Sequence, residues 1–316
     1  MMRIRPNLKS DFESLIQSKQ FCIATTGSFA RCEASEASDL DYFIITEDKI
    51  INTKYFEANG TLELTNNFKK LMGDSVNKYI KKDSGDTGTF GFEAIVKIND
   101  LTTNIGGSND SNIQFTRRML FLLEGKCLYN DELFNKFRKK LVEQYVKSTV
   151  LEGQLSRFFL NDIIRFYRTM TTDFEYKVSE QGKEWGVRNI KLTFSRKLLY
   201  FGGILTIANT VQEAREDKIS KTLKLLDMSP LERIKYIAKE DTENNVFELY
   251  NYFLDNISQH SVREELEKAK KENNKEQNPK IFVEMKEKSK EFSCSLASLL
   301  EKTYDKNHPI HHALIL

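Results

Sequence analysis

Proline is scarce in this chain, with four in 316 residues. With so few breakers, its long Lys-, Glu- and Leu-rich stretches are free to run on as helix. Cysteine is equally rare. Cys22, Cys32, Cys127 and Cys294 form no Cys-x-x-Cys pair and no cluster, which excludes a disulfide scaffold and fits a reducing compartment. No sign of charge dominates: 48 basic against 46 acidic residues leave +2, so bulk electrostatics make no case for long nucleic acid or a membrane surface. Long apolar runs are missing too. The longest, Leu198 to Ala208, holds Tyr200, Gly202 and Gly203, is too short to span a bilayer, and reads as a buried helix. Met1-Met2-Arg3-Ile4-Arg5-Pro6 carries no apolar signal segment, so the expected location is cytoplasmic, with no membrane partner. What remains suits two globular domains: the chain is long for one, 40% hydrophobic content fills a core, and 30% charged residues solvate the surface.

The most informative stretch lies between two apolar, strand-like runs, Phe21-Cys22-Ile23-Ala24 and Tyr42-Phe43-Ile44-Ile45. Between them stand Thr25-Thr26-Gly27-Ser28-Phe29-Ala30-Arg31 and then Ser38-Asp39-Leu40-Asp41. The order predicts a strand, a small-residue turn opening a helix, and a second strand. Side chains alternate along a strand, so Asp39 and Asp41 share a face and Leu40 takes the other. Two such carboxylates repel unless a cation sits between them, and Mg²⁺ is the usual occupant when phosphates complete its ligands. A Gly27-Ser28 turn permits close backbone approach, and the helix after it aims N–H groups outward at an anion. Metal on one side and a phosphate cradle on the other describe phosphoryl or nucleotidyl transfer. Taken singly, Gly27 is equally an ordinary turn and the aspartates a solvated strand start; the combination, in this order, favours the functional reading.

Gly27-Ser28, Arg31, Glu33 and Ser38-Asp39-Leu40-Asp41 together resemble the signature of the DNA polymerase β-like nucleotidyltransferase superfamily. Within it, the chain is most similar to bacterial nucleotidyltransferases related to PII-protein uridylyltransferases and glutamine synthetase adenylyltransferases. Asn104-Ile105-Gly106-Gly107 with Phe115 to Gly125 adds to the likeness, as does Arg188 to Lys197. The resemblance implies an α+β fold: a small nucleotidyltransferase mixed sheet with helices over residues 1–105, then a helical bundle over 106–316, with the NTP between them. It implies transfer of NMP from an NTP to a hydroxyl, with release of pyrophosphate. Asp39 and Asp41 would hold two Mg²⁺ ions, and a third carboxylate would activate the acceptor. A protein, a small molecule and an RNA end all remain open as acceptor.

The remaining residues leave alternatives. Glu93 is the best third carboxylate, on a predicted strand where Phe92, Ala94, Val96 and Ile98 alternate with Glu93, Ile95 and Lys97, but it reads as well as a surface Glu paired with Lys97. Asp100 and Asp86 are weaker candidates. With no third carboxylate, the chain reads as a catalytically silent nucleotide-binding regulator; a kinase finds no catalytic loop here. Ser28 offers a hydroxyl to a phosphate or caps a helix, and Arg31 faces the phosphates or Glu33. The Gly106 to Asp110 run reads as ligand-facing amides or as a linker, with Arg117 and Arg118 off the apolar stripe that follows. On predicted helices 150–172 and 187–209, Asp162, Arg165 and Arg168, and then Arg188, Lys191 and Ser195, line single faces. Such faces are solvated or reach a triphosphate; Arg165, Lys191 and Arg196 are the chosen nucleotide contacts. Further helices are predicted over 7–18, 62–72, 112–124, 131–147, 230–239, 244–271 and 281–303, with a loop at 83–88, a linker at 273–280, and a solvated tail around His308, His311 and His312.

Overall fold

The computed structural model describes residues 4–36, 38–49, 54–58, 62–80, 90–239 and 245–315. The predicted loop at 83–88, with Asp86, lies outside them. The chain divides into two compact units, Met1–Tyr145 and Val146–Leu316.

The first unit runs α1 (Ile4–Leu15), β1 (Phe21–Thr25), α2 (Gly27–Ala30), β2 (Tyr42–Thr46), α3 (Asn66–Asn77), β3 (Ile95–Lys97), α4 (Ile98–Thr102), α5 (Asn112–Leu123), β4 (Lys126–Tyr129) and α6 (Asp131–Tyr145). This is a mixed α/β unit around a small four-stranded sheet of order β3-β2-β1-β4. β1 pairs antiparallel with β2 and β4, and β2 pairs parallel with β3. All five residues of β1 and of β2 are buried, which is why both strands read as unbroken apolar runs. On one face Phe21, Ile23, Tyr42 and Ile44 pack with Leu8 and Phe12 of α1 and Phe68 and Met72 of α3. On the other, Phe43 meets Phe121 of α5 edge-on at 6.5 Å, and Phe121 meets Phe134 of α6 at 4.8 Å.

The boundary between the compact units falls after Tyr145; the expected division is at residue 105. β4 hydrogen-bonds to β1, so the segment after residue 105 completes the sheet instead of opening the bundle. Its start is pinned by charge: Asp110 accepts from the Gly106 N–H at 2.9 Å and takes Arg118 in a fork of 2.9 and 2.8 Å. Arg118 also donates to the Tyr145 hydroxyl at 2.7 Å, and Ser111 caps α5 in a reciprocal box with Gln114. The Gly106 to Asp110 run is thus an anchor for α5.

The second unit is helical: α7 (Arg157–Ser179), α8 (Trp185–Lys191), a π-helical turn (Leu192–Arg196), α9 (Lys197–Asn209), α10 (Arg215–Leu226), α11 (Pro230–Ala238), α12 (Val246–Ser258), α13 (His260–Glu267), α14 (Lys280–Thr303) and α15 (Pro309–Ile315). The single helix expected over 187–209 carries a π turn in its middle, and that expected over 244–271 breaks at Gln259, which is extended. α9 is apolar on every side and sits at the centre, with ten of its thirteen residues buried. Among the described residues, no helix is long and apolar enough to cross a membrane.

Buried cations close several helix ends. Lys218, 0% exposed, donates to the carbonyls of Gln154 and Val211 at 3.0 Å each, and to that of Thr210, tying the end of α9 to the 150–155 loop. Arg233 donates to Leu225 and Met228 carbonyls at 2.8 and 3.2 Å, at the end of α10. Each brings a cationic donor to carbonyls at or just beyond a helix's last turn, where the helix dipole favours positive charge.

The tail is not solvated as expected: α15 docks through Ile310, which is 0% exposed, and the His308 ring packs tilted against Tyr304 with centroids 4.4 Å apart. Burial, with His311 nearby, lowers the His308 pKa from its ordinary 6.5, against smaller opposing effects of Asp305 and the Ala208 carbonyl. The unfolded tail therefore takes up its proton first as pH falls, and docking is strongest above pH 6.5 and weakens below it. Amide exchange in α15 is expected to accelerate on crossing that pH downward, beyond the change in intrinsic exchange, and His308→Asn to remove the dependence. An α15 protected equally on both sides contradicts this.

Candidate active site

The ends of three strands build the site. Thr25, the last residue of β1, lies opposite Tyr42 of β2 on one side and Lys126 of β4 on the other. The next residues, Thr26 and Gly27, must therefore pass between Asp41, just before β2, and Glu124-Gly125, just before β4. Hydrogen bonds fix both flanks. The Asp41 carbonyl accepts from the Thr26 N–H at 2.9 Å and from the Thr25 hydroxyl at 2.8 Å. The Gly27 N–H donates to Glu124 Oε1 at 2.9 Å.

Gly27 is left-handed, at φ +68°, and a Cβ there would lie 2.8 Å from Asp41 Oδ2. Glycine is required twice, for the backbone and for the space that the Asp41 carboxylate fills. Leu40 is 1% exposed within the α1/α3 face of the core, while Asp39 and Asp41 are half-buried. The register places Thr26 opposite Asp41, on the side of Ala24 and Phe43. Its hydroxyl is buried and has no hydrogen-bond partner among the described residues. Buried polar groups are normally satisfied, so this orphan marks a place for a polar ligand or water.

Beneath the turn lies a buried ionic cluster. Arg31 Nε donates to Glu33 Oε2 at 2.7 Å, and the same guanidinium pairs with Glu124; the side chains are 7%, 8% and 1% exposed in the order Arg31, Glu33, Glu124. Glu124 thus offers one oxygen to the start of α2 and the other to Arg31. Its own backbone is held in turn. Arg138 donates to the Gly125 carbonyl and lies 4.5 Å over the Phe134 ring, and a Cβ on Gly125 would come within 2.5 Å of the Phe121 carbonyl.

The other expected residues are placed as follows. Ser28 is half-buried; its carbonyl accepts from the Glu33 N–H at 2.8 Å, while its hydroxyl bonds to no described residue, and the cap position of α2 belongs to Thr26. Arg31, expected at phosphates or at Glu33, is engaged by two glutamates. Glu93 is exposed, in a turn that precedes β3. Ile95 opposes Ile44, so Val96 shares the side of Asp41 and Phe43, and nothing in the register directs Glu93 there. Asp100 is exposed in α4. Arg117 and Arg118 are both buried. In the second unit Arg165 pairs with Asp162 at 3.7 Å, Lys191 ends α8, and Arg196 ends the π turn, both half-buried.

Among the described residues, no group of three or more His, Cys, Asp or Glu side chains is arranged to hold a metal ion. The buried Cys22 and half-buried Cys127 thiols are poor nucleophiles: burial, chiefly, pushes Cys127 up to about 12 and Cys22 well above its usual value. Glu124 is the residue missed from sequence as a member of the site. The available signal was a carboxylate ending an apolar helix, where it opposes the helix dipole and needs another reason to be there. Comparison with family models and with curated proteins finds no match.

Two substitutions test this construction. Gly27→Ala is expected to cost about 1–2 kcal/mol in urea unfolding, from the left-handed backbone alone, and to displace the Asp41 carboxylate. Glu124→Ala removes one of the two carboxylates on Arg31 and leaves the Gly27 N–H without its acceptor, and is expected to cost about 3 kcal/mol, with Glu124→Gln milder. A Glu124→Ala chain as stable as the wild type contradicts the assignment.

Proposed function

We propose that the first unit is a Mg²⁺-dependent nucleotidyltransferase, which moves NMP from an NTP to a hydroxyl acceptor and releases pyrophosphate. One observation carries this reading: the Asp41 carboxylate rests against a left-handed glycine turn with no room for a side chain between them. The unpartnered Thr26 hydroxyl on the same side adds support, because a polar ligand would satisfy it. Both features fit a metal-bound phosphate chain.

Asp39 and Asp41 would hold the metal, two carboxylates being the donor set Mg²⁺ takes when phosphates supply the rest. A metal held by these two aspartates would supply acidification of an acceptor hydroxyl and charge neutralisation on the leaving group. Ser28 orients a phosphate oxygen through its hydroxyl. Arg31 and Glu124 act one layer below, holding Gly27 in the conformation that keeps Asp41 in place. The acceptor oxygen bonds to the α-phosphorus as the bond to the β-phosphate bridge breaks, and the acceptor proton passes to water or to an aspartate. Glu93 carries no part of this scheme.

A second reading keeps nucleotide binding and drops turnover. The exposed turn that holds Glu93, and the lack of a three-carboxylate group among the described residues, favour it.

Label placed on the α- or the γ-phosphate separates the possibilities, with Mg²⁺ present and cell lysate as the source of acceptors. The proposal expects α-label on an acceptor and a loss of about 100- to 1,000-fold in Asp39→Asn and in Asp41→Asn. Transfer of γ-label indicates a kinase. Tight NTP binding without transfer of either label indicates the silent regulator. Undiminished transfer by both aspartate variants contradicts the site.

A further inference from the structure

The second unit holds a groove that the nucleotidyl-transfer reading does not use. α14 packs against α8, and one face of it carries Phe282, Lys286, Lys290 and Ser293, spaced by one turn or close to it. The facing run supplies Trp185 and Asn189 from α8 and Lys197 from the start of α9. The two sides meet rung by rung. Trp185 and Phe282 lie with ring centroids 4.7 Å apart; one turn on, Lys286 Nζ donates to Asn189 Oδ1 at 2.6 Å; further on, the Lys197 ammonium donates to the Ser293 hydroxyl.

The charges in this groove are unbalanced. Lys197 and Lys286 are half-buried and their hydrogen-bond partners are neutral; among the described residues, neither of them nor Lys290 has a carboxylate at ion-pair distance. The acidic residues along this stretch of α14 are engaged elsewhere: Glu284 by the Tyr252 hydroxyl at 2.8 Å, Glu287 by Lys275 at 2.7 Å, and Glu291 by Lys288 at 2.9 Å. Glu287 lies near enough to Lys290 to feel its charge, yet is bonded to Lys275. Burial lowers the pKa of Lys197, and burial together with Lys197 and Lys290 lowers that of Lys286. Half-buried like charges disfavour one another, and an anion between them reverses the effect.

Donors remain for such an anion. Each ammonium has three N–H groups and uses one on its neutral partner, and the Asn189 amide nitrogen adds two more. The Ser293 hydroxyl points its own proton at the Ser289 carbonyl, 2.7 Å away, so it steadies Lys197 and stays out of ligand binding. The π turn immediately before Lys197 is a distortion of a kind that recurs at functional sites.

We propose that the groove between α14 and the α8–α9 run binds an oxyanion of the phosphate class, held by Lys197 and Lys286, with Asn189 as a neutral donor and Lys290 at the exposed side. Two ammonium groups from different helices suit a compact, doubly charged tetrahedral anion, for which lysine acts as a point-charge partner. The site requires neither Mg²⁺ nor nucleotide, so it stands or falls apart from the proposed catalysis.

Trp185 is the only tryptophan in the chain and packs beside the groove, which makes it a built-in reporter. The full chain is titrated with inorganic phosphate, without Mg²⁺ or nucleotide, against sodium chloride of equal ionic strength, reading tryptophan emission and thermal unfolding. The proposal expects a saturable response to phosphate in emission or in Tm. Lys286→Gln is expected to weaken the apparent affinity about tenfold, the loss of one charge-assisted hydrogen bond. Lys197→Met with Lys286→Met is expected to abolish the response while circular dichroism stays unchanged. Lys288→Met, which removes a lysine paired with Glu291, is expected to respond as the wild type does. An equal response to chloride means general screening and overturns the site. So does a wild-type response in both Lys286→Gln and the double variant, or no change with phosphate in either readout.

Discussion

One bend constrains the first unit more than any other feature. Gly27 is left-handed, its N–H is held by Glu124, and the volume its side chain would need is taken by Asp41. These conditions depend on one another. Glu124 arrives because β4 pairs with β1, and Asp41 arrives because β2 pairs with β1 on the other side. Remove either strand and the turn loses a flank. The buried Arg31, between Glu33 and Glu124, keeps the helix end from drifting, because breaking a buried ion pair leaves an uncompensated charge.

Buried cations recur as the means by which this chain ends its helices. Arg138 holds the end of α5, Lys218 that of α9 and Arg233 that of α10, each by donating to carbonyls at or just beyond the last turn. A glycine in the left-handed conformation would do the same at less cost in desolvation. The ionic solution adds reach: Lys218 joins α9 to a loop some sixty residues earlier in the chain (64 residues from Lys218 to Gln154), and Arg138 links α6 to the segment that carries Glu124. Local helix geometry and long-range packing are thus fastened by the same side chains.

Much of this was legible in the sequence. β1 and β2 announce themselves as short unbroken apolar runs, and they are buried on both faces. The alternation through Asp39, Leu40 and Asp41 has its physical counterpart in Leu40, which enters the core while its neighbours remain half-buried. α1, α5, α6, α11 and α14 follow their apolar periodicity. What escaped depends on distant partners. β4 is four residues long with Lys126 and Cys127 half-buried, so its pattern is too short to separate from the helices on either side. α10 is rich in Lys, Glu and Asp, and nothing local shows that Lys218 within it is fully buried. The π turn adds a residue to a helix without any breaker at that point, and the docking of α15 hangs on one isoleucine. Glu93 was placed by an alternation that the strand keeps only from Ile95 onward.

The functional account reduces to whether Asp39 and Asp41, set beside the Gly27 bend, gather a divalent cation with a nucleotide. Manganese titrated into the full chain with a non-hydrolysable NTP analogue reports this directly, since the free ion's paramagnetic resonance signal falls as it binds. The account predicts saturable binding by the wild type and none by Asp39→Asn with Asp41→Asn, with circular dichroism confirming that the variant is folded. Equal manganese binding by the two proteins contradicts it.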